Sequence, residues 1–386
     1  MKYYIIAGEH SGDLHASFLM KEIKLRDKDA EFRFWGGDKM IAQDSEKNLV
    51  KHIKELAIMG FIEVVMNLKT VLGNLSLCKK DLIAWKPDAL ILVDYPGFNL
   101  RIAKFAKKNG IKNYYYISPQ VWAWKKGRIK TMKKILEKLY VILPFEKEFY
   151  AKHSMEVEYK GNPLLDEIND YSLNADKQAF LEKYDLGKKP IVALLPGSRT
   201  QEIKKMLPIQ LSLVDKYPEF DFVVAGVNTH SEEFYRKFIK EKSNVKLIYN
   251  ETYSILNNSY CAVVTSGTAT LETALFNIPE VVCYKANAIS FFAAKYLVKI
   301  EYISLVNLIL REKAVVELLQ DKWNEDCLEK EFKKICFDEG YREQMMYLFN
   351  KLRNLLGDSG ASLSIAQSII EDLNNKLEEL NNRSHG

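Results

Sequence analysis

Short apolar runs alternate with stretches of helical spacing along the first half of the chain. Residues 3–7 (YYIIA) read as a strand, 8–13 as the loop after it, and 14–25 as a helix. Residues 31–35 and 112–117 are further strand candidates, as is the strongly apolar run 89–93 behind the turn Lys86-Pro87-Asp88. The pattern restarts at 190–195 (PIVALL) and continues through 220–225, 245–249, 261–264 and 281–284. Strands that alternate with helices imply right-handed crossovers and parallel sheets. The prediction is therefore two α/β units in series, joined across the segment 159–189, which contains Gly161-Asn162-Pro163 and the polar stretch 169–177. Two doubly wound, Rossmann-like domains facing across a cleft place the chemistry in the loops after the strands. The last forty or so residues read as a helix that fades into the polar NNKLEELNNRSHG.

Composition agrees with two cores: the chain has 386 residues, 47% hydrophobic and 28% charged. The N-terminal apolar run is too short for a signal-peptide core, and no apolar run is long enough to span a membrane. Cys78, Cys261, Cys283, Cys327 and Cys336 are scattered without a C-x-x-C pair. That suits a reducing, cytoplasmic setting and argues against a disulfide framework or a zinc site. The net charge of +5 is mild but uneven, for residues 101–138 hold twelve Lys or Arg and one acid, Glu137. Such a run is either a pair of solvated helix faces or a surface for anionic lipid or a phosphorylated substrate. No nucleic-acid motif accompanies it, so no nucleic-acid partner is expected.

Five loops could carry chemistry. In AGEHSGDLHA, Gly8 and Gly12 fall between strand and helix, where backbone N–H groups can approach an anion. The alternative is a tight turn capped by Ser11 or Asp13. His10, Asp13 and His15 are too few to make a metal site. In VDYPGFNLRIAK, Asp94 ends an apolar strand and could take a proton from a sugar hydroxyl. It could instead cap the next helix, a job for which Asn99 competes. In YYYISPQVWAWKKGRIK, Trp122 and Trp124 either pack or, with Lys125, Lys126 and Arg128, meet a lipid headgroup. The apolar segment 56–77 before it is a core helix by default, with an acyl-binding face as the alternative. In LLPGSRTQEIKKMLP, Gly197-Ser198 opens a helix and Arg199 can reach a diphosphate with two N–H donors. In VVTSGTATLETAL, Ser266, Gly267 and Thr268 offer N–H and hydroxyl donors at a helix start. Glu272, one turn on, could accept from ribose hydroxyls or serve as a surface or capping residue. Two anion loops and Glu272 suggest a nucleoside diphosphate. No DxD motif follows a strand, so no metal and no cofactor is expected.

AGEHSGDLHA, VDYPGFNLRIAK, YYISPQVWAWKKGRIK, LPFEKEFY, GNPLLD, LLPGSRTQEIK, TSGTATLETAL and SLVNLIL occur together, in order, between about Ile5 and Gln320. In this combination the chain resembles the lipid-A-disaccharide synthases. The resemblance implies a GT-B fold of two doubly wound Rossmann-like domains. These would be a membrane-facing acceptor domain over 1–168, a UDP-sugar domain over 169–355, and a C-terminal helix over 356–386. That helix would pack back on the first domain or be exchanged between protomers of a homodimer. The implied reaction is inverting. UDP-2,3-diacylglucosamine would donate its sugar to 2,3-diacylglucosamine 1-phosphate (lipid X), giving a β-1,6-linked disaccharide 1-phosphate and UDP. Asp94 matches the family's general base and Arg199 the arginine at the donor phosphates. Ser266, Gly267, Thr268 and Glu272 match the UDP-binding loop and helix. Asn307 matches a site residue, and Gly8, Glu9, Ser11 and Asp13 match the loop near the reacting sugars. His10, Gly97 and Val306 depart from the usual motif without touching the reaction class. The acyl chains imply peripheral association with the inner membrane of a Gram-negative bacterium, for which 290–300 is a second apolar, basic candidate. The rival readings are another GT-B UDP-sugar enzyme, a MurG-like transferase or a UDP-sugar epimerase, and a nucleotide-sugar-binding protein without turnover.

Overall fold

The computed structural model describes residues 1–56, 68–119, 121, 127–240, 242–285 and 301–384. The chain divides into two compact units, one of residues 1–166 with 359–386 and one of residues 167–358.

The first unit carries β1 (Lys2–Ala7), β2 (Glu31–Gly36), β3 (Leu49–His52), β4 (Ala89–Val93), β5 (Lys112–Tyr116), β6 (Lys138–Val141) and β7 (Glu158–Tyr159). They form one parallel sheet in the order β3-β2-β1-β4-β5-β6-β7. The helices that matter here are α1 (His10–Arg26), α2 (Leu68–Trp85), α3 (Pro96–Lys108) and α4 (Arg128–Ile135). Successive strand residues point to opposite faces, and both faces are covered. Tyr3, Ile5 and Ala7 join Leu19, Met20 and Ile23 of α1 in one core. Tyr4 and Ile6 join Leu82 of α2, Ile102 of α3 and Met132 of α4 in the other. This is why β1 and β4 read as unbroken apolar runs, each buried side chain contributing ~1.5–3 kcal/mol.

The second unit repeats the plan with β8 (Ile191–Leu195), β9 (Asp221–Gly226), β10 (Val245–Tyr249), β11 (Ser259–Thr265), β12 (Glu280–Tyr284) and β13 (Val316–Leu319). Their order is β10-β9-β8-β11-β12-β13, again parallel. Its helices include α5 (Pro163–Asn174), α6 (Thr200–Gln210), α7 (Thr268–Leu275), α8 (Leu305–Leu310), α9 (Glu325–Phe337) and α10 (Glu339–Leu356).

The chain then returns to the first unit as α11 (Ala361–Ser384). Its start is held by Asp166, whose carboxylate accepts from the N–H groups of Gly360, Ala361 and Ser362. Ile365, Ala366, Ile369 and Leu373 fill the α1 face of the sheet. Tyr114 donates to Asp372 at 2.6 Å, and Ser368 accepts from Lys138 and Tyr140.

Glu280 at the start of β12 is fully buried, and neither carboxyl oxygen has a hydrogen-bond partner among the described residues. Burial alone pushes its carboxyl well above the usual range. The unfolded chain therefore binds fewer protons than the folded one above the ordinary Glu range, and stability falls as pH rises. Glu280→Gln is expected to raise the melting temperature at pH 8 by roughly 2–4 °C. The gain should vanish near pH 4, as thermal melts at the two pH values would register.

Candidate active site

In each sheet the strand order reverses beside the first strand. Ala7 of β1 pairs with Val93 of β4, and Leu195 of β8 with Val264 of β11. A parallel α/β sheet opens a crevice at such a point, beyond the carboxyl ends of the strands. Gly8 and Asp94 therefore emerge side by side in the first unit. The 196–199 and 266–268 loops do so in the second.

In the first unit, Gly8 allows close packing: a Cβ there would lie 2.3 Å from the Tyr95 ring. Glu9, half-buried and extended, is the residue before α1, and His10 and Ser11 are exposed in its first turn. Neither Ser11 nor Asp13 caps that helix. Asp13 instead turns away and accepts from the N–H groups of Gly37 (2.6 Å), Lys39 (3.1 Å) and Met40 (3.2 Å). It is buried and braces the turn after β2.

Asp94 and Tyr95 both adopt left-handed backbone, with φ of 46° and 45°. α3 begins behind them with Pro96 in its first turn and no side-chain cap, so the helix does not claim the Asp94 carboxylate. Asn99 does not cap it either. It is buried and donates backward to the carbonyls of Asp94 (2.8 Å), Val93 (3.3 Å) and Ile6 (3.4 Å). Burial pushes the Asp94 carboxyl up to about 6, and the charge of Glu9 adds to the rise. His15 of α1 and the Tyr95 N–H pull the other way. A carboxylate so poised is suited to general base work near neutral pH.

In the second unit, Gly197 turns left-handed at φ 96° and Arg199 leads into α6. The Glu202 carboxylate reaches back to the N–H groups of Ser198 (3.2 Å) and Arg199 (3.3 Å). The Arg199 side chain is 70% exposed and touches Glu202 only at 3.4 Å, so its fork can reach outward. At the neighbouring loop, Gly267 and Thr268 are exposed, no side chain caps α7, and open space surrounds Gly267. Those uncapped N–H groups and the helix dipole favour an anion. Ser266 is turned inward: its N–H donates to Cys283 O (2.9 Å) and its hydroxyl to Ile303 O (3.4 Å). Glu272 accepts from Tyr253, whose hydroxyl also meets Glu167.

Asn307 is fully buried. Its oxygen accepts from Ala314 and Val315, and its amide donates to Val315 O (3.0 Å) and Glu317 (2.9 Å). Glu317 holds the N–H groups of Ile303 and Ser304 at 2.9 Å each. Asn307 thus spends its hydrogen bonds on the turn into β13, whose Glu317 holds the N–H of Ile303, the residue whose carbonyl accepts from Ser266. Sequence reasoning missed Tyr95, Tyr115, Glu202, Tyr253 and Glu317. Glu202, three residues after Arg199, had the one local signal, that of a capping box. Trp122, Trp124, Lys125, Lys126, the stretch 57–67 and the segment 290–300 lie outside the described residues.

The UDP-GlcNAc 2-epimerase from Neisseria meningitidis, solved with UDP-GlcNAc bound, matches with a TM-score of 0.70 over 96% of this chain and all 100% of its own. At 14% identity that likeness speaks to fold alone. Two parallel Rossmann-like sheets in series, each open at a switch point, give the chain the GT-B fold. The family model described as lipid-A-disaccharide synthetase matches residues 3–363. The lipid-A-disaccharide synthase of Syntrophus aciditrophicus is 36% identical over 365 residues, 93% of this chain and 94% of that protein. That of Myxococcus xanthus is 34% identical over 373 residues, 95% and 96% of the two. The chain belongs to the lipid-A-disaccharide synthase family.

Asn307→Ala should remove the four hydrogen bonds that the side chain makes and lower stability by about 1–3 kcal/mol, read by urea unfolding.

Proposed function

We propose that the chain condenses UDP-2,3-diacylglucosamine with 2,3-diacylglucosamine 1-phosphate to give the β-1,6-linked disaccharide 1-phosphate and UDP. The observation that carries the reading is Asp94, uncommitted to capping and raised to about 6, at the first unit's switch point in a chain of this family. Ionised Asp94 takes the proton of the acceptor 6-hydroxyl. The O6–C1 bond forms on the face opposite the diphosphate as the C1–O bond to UDP breaks, which inverts the anomeric centre. Charge then collects on the departing phosphate. Arg199 and the uncapped start of α7 at Gly267 and Thr268 neutralise it without a metal. Glu272 takes the ribose hydroxyls. Glu9 before α1 and Ser11 in its first turn contact the sugars, while Gly8 and Asp13 support the first unit's site and Ser266 and Asn307 that of the second.

Acylated substrates call for a peripheral position on the inner membrane of a Gram-negative bacterium. Leu72 (54% exposed), Leu77 and Ile83 of α2 support it, as do the exposed Lys and Arg of α3 and α4. No described helix is long and apolar enough to cross a membrane. The apolar face of α11 is the element a homodimer would exchange.

The direct test is to mix the two diacylated sugars with the protein and weigh the product. Absence of a disaccharide 1-phosphate overturns the reading, and turnover of UDP-GlcNAc to its 2-epimer would favour the epimerase alternative. Asp94→Asn is expected to lower kcat by about 10²–10⁴. The wild-type kcat/KM should fall as pH drops through about 6, where the base becomes protonated. Arg199→Ala should cost about 10²-fold, with Arg199→Lys recovering part of it.

A further inference from the structure

The turn that carries Asp94 is held in a conformation that its own residues resist. Two successive residues other than glycine, Asp94 and Tyr95, sit in the left-handed region. An L side chain adopts that backbone only where surrounding contacts over-determine it. The contacts are visible. The Asp94 N–H donates to Tyr116 O at 3.0 Å, extending the β4–β5 ladder by one bond. The Asp94 carbonyl accepts twice, from the Tyr115 hydroxyl at 2.5 Å and from Asn99 Nδ2 at 2.8 Å. The Tyr95 ring is pressed on Gly8 and stacks on Phe98 at 5.6 Å, and Phe98 in turn meets Trp35.

Tyr115 is the part of this clasp that comes from a different element. It lies on β5, opposite Leu92 of β4, and is fully buried. Burial keeps its phenol protonated far above neutral pH, so it is a permanent donor. Its hydroxyl does not touch the Asp94 carboxylate. It fixes the peptide plane on which the orientation of that carboxylate depends.

We propose that Tyr115, with Asn99 as second donor, is a positioning residue that pins the strained Asp94–Tyr95 turn and so aims the Asp94 carboxylate at the acceptor hydroxyl. The proposal rests on the reading of Asp94 as the base. Without the phenol hydroxyl the Asp94 carbonyl keeps only the Asn99 bond. The turn then relaxes toward the extended backbone its residues prefer, and the carboxylate swings out of line. A displacement of about 1 Å at a reacting group can cost on the order of 100-fold in rate. The groups that face the carboxylate are Glu9 from the loop after β1, His15 from α1 and the Tyr95 N–H. Arg128 of α4 and Tyr150 face the Tyr115 phenol. Released from its half-buried seat, the carboxyl loses the burial that raises it, and its titration moves toward the ordinary aspartate range.

Tyr115→Phe in the full chain, assayed with both diacylated sugars, tests this against a merely structural role. Expected are a kcat lower by about 10–100-fold and KM values for both sugars within about twofold. The acid limb of kcat/KM should move to lower pH. In the Asp94→Asn background the same substitution should cause no further loss of the residual turnover. Asn99→Ala removes the other donor to the same carbonyl and is expected to repeat the signature, which keeps the test if Tyr115→Phe does not fold. A variant with wild-type kcat and acid limb, where Asp94→Asn is inactive, overturns the positioning role and leaves the base intact. So does a loss of equal size in both backgrounds. Wild-type turnover by Asp94→Asn would overturn the base itself, and the positioning role with it.

Discussion

Parallel pairing of the first strand of each unit with the strand that follows the reversal is the contact on which the rest depends. β1 against β4, and β8 against β11, leave two loops side by side at the carboxyl ends of neighbouring strands. Because both faces of such sheets are covered, β4 and β8 are apolar throughout, and in β1 the Tyr3 and Tyr4 hydroxyls are spent on Asp27 and Asp81. Function is thereby confined to the residues immediately beyond them. Gly8 and Asp94 follow one pair, Arg199 and Gly267 the other. On the proposed reading the base lies beyond β4 in the first unit and the anion site beyond β8 and β11 in the second, each placed by the same geometric device.

Helix starts show how that division is enforced. A helix N-terminus attracts negative charge whether or not it belongs to a substrate. Asp13 fills the turn at Gly37–Met40, Asp166 fills the start of α11, and Glu202 reaches back over the start of α6. These carboxylates are structural anions. α7 has no side-chain cap and opens at an exposed glycine. A phosphate therefore meets less internal competition at Gly267–Thr268 than at Ser198–Arg199. There the long, exposed Arg199 side chain supplies what the backbone has given to Glu202.

Strands buried on both faces were legible from the chain alone. Residues 89–93 and 245–249 form strands with the expected bounds, and most of the others shift by a residue or two. The unread strands are β3, β6, β7 and β13, with sequences LVKH, KLYV, EY and VELL. β3, β7 and β13 are edge strands, β6 lies next to one, and β7 is only two residues long, so none presents an apolar run of useful length. The switch-point loops were legible too, since a glycine follows each central strand, with a charged residue near it in every loop but that at Ser266–Thr268. What individual side chains do there was not. Asp13 answers to N–H groups about 24 residues away, and Asn307 is consumed by the turn into β13. Tyr115 reads as one more apolar strand residue until its hydroxyl is seen on Asp94. Such partners are fixed by tertiary packing, and no local spacing encodes them.

Two carboxyls at strand ends set the limits within which the site has to work. Glu280 lies wholly inside, without a partner, and burial drives it to the neutral form. A base buried that way would be held toward its protonated form. Asp94 is lifted only to about 6, because it stands beyond the end of β4, not wholly buried, with His15 and the Tyr95 N–H favouring its charge. It is mostly ionised at neutral pH yet basic enough to accept a proton. An extended turn would carry the side chain on along the line of β4, and a helix cap would spend it on backbone. The left-handed turn avoids both fates. Backbone strain at Asp94 and Tyr95, tolerated because β5 and α3 clasp one carbonyl, is thus the feature that keeps this carboxylate between a buried acid and an ordinary surface charge.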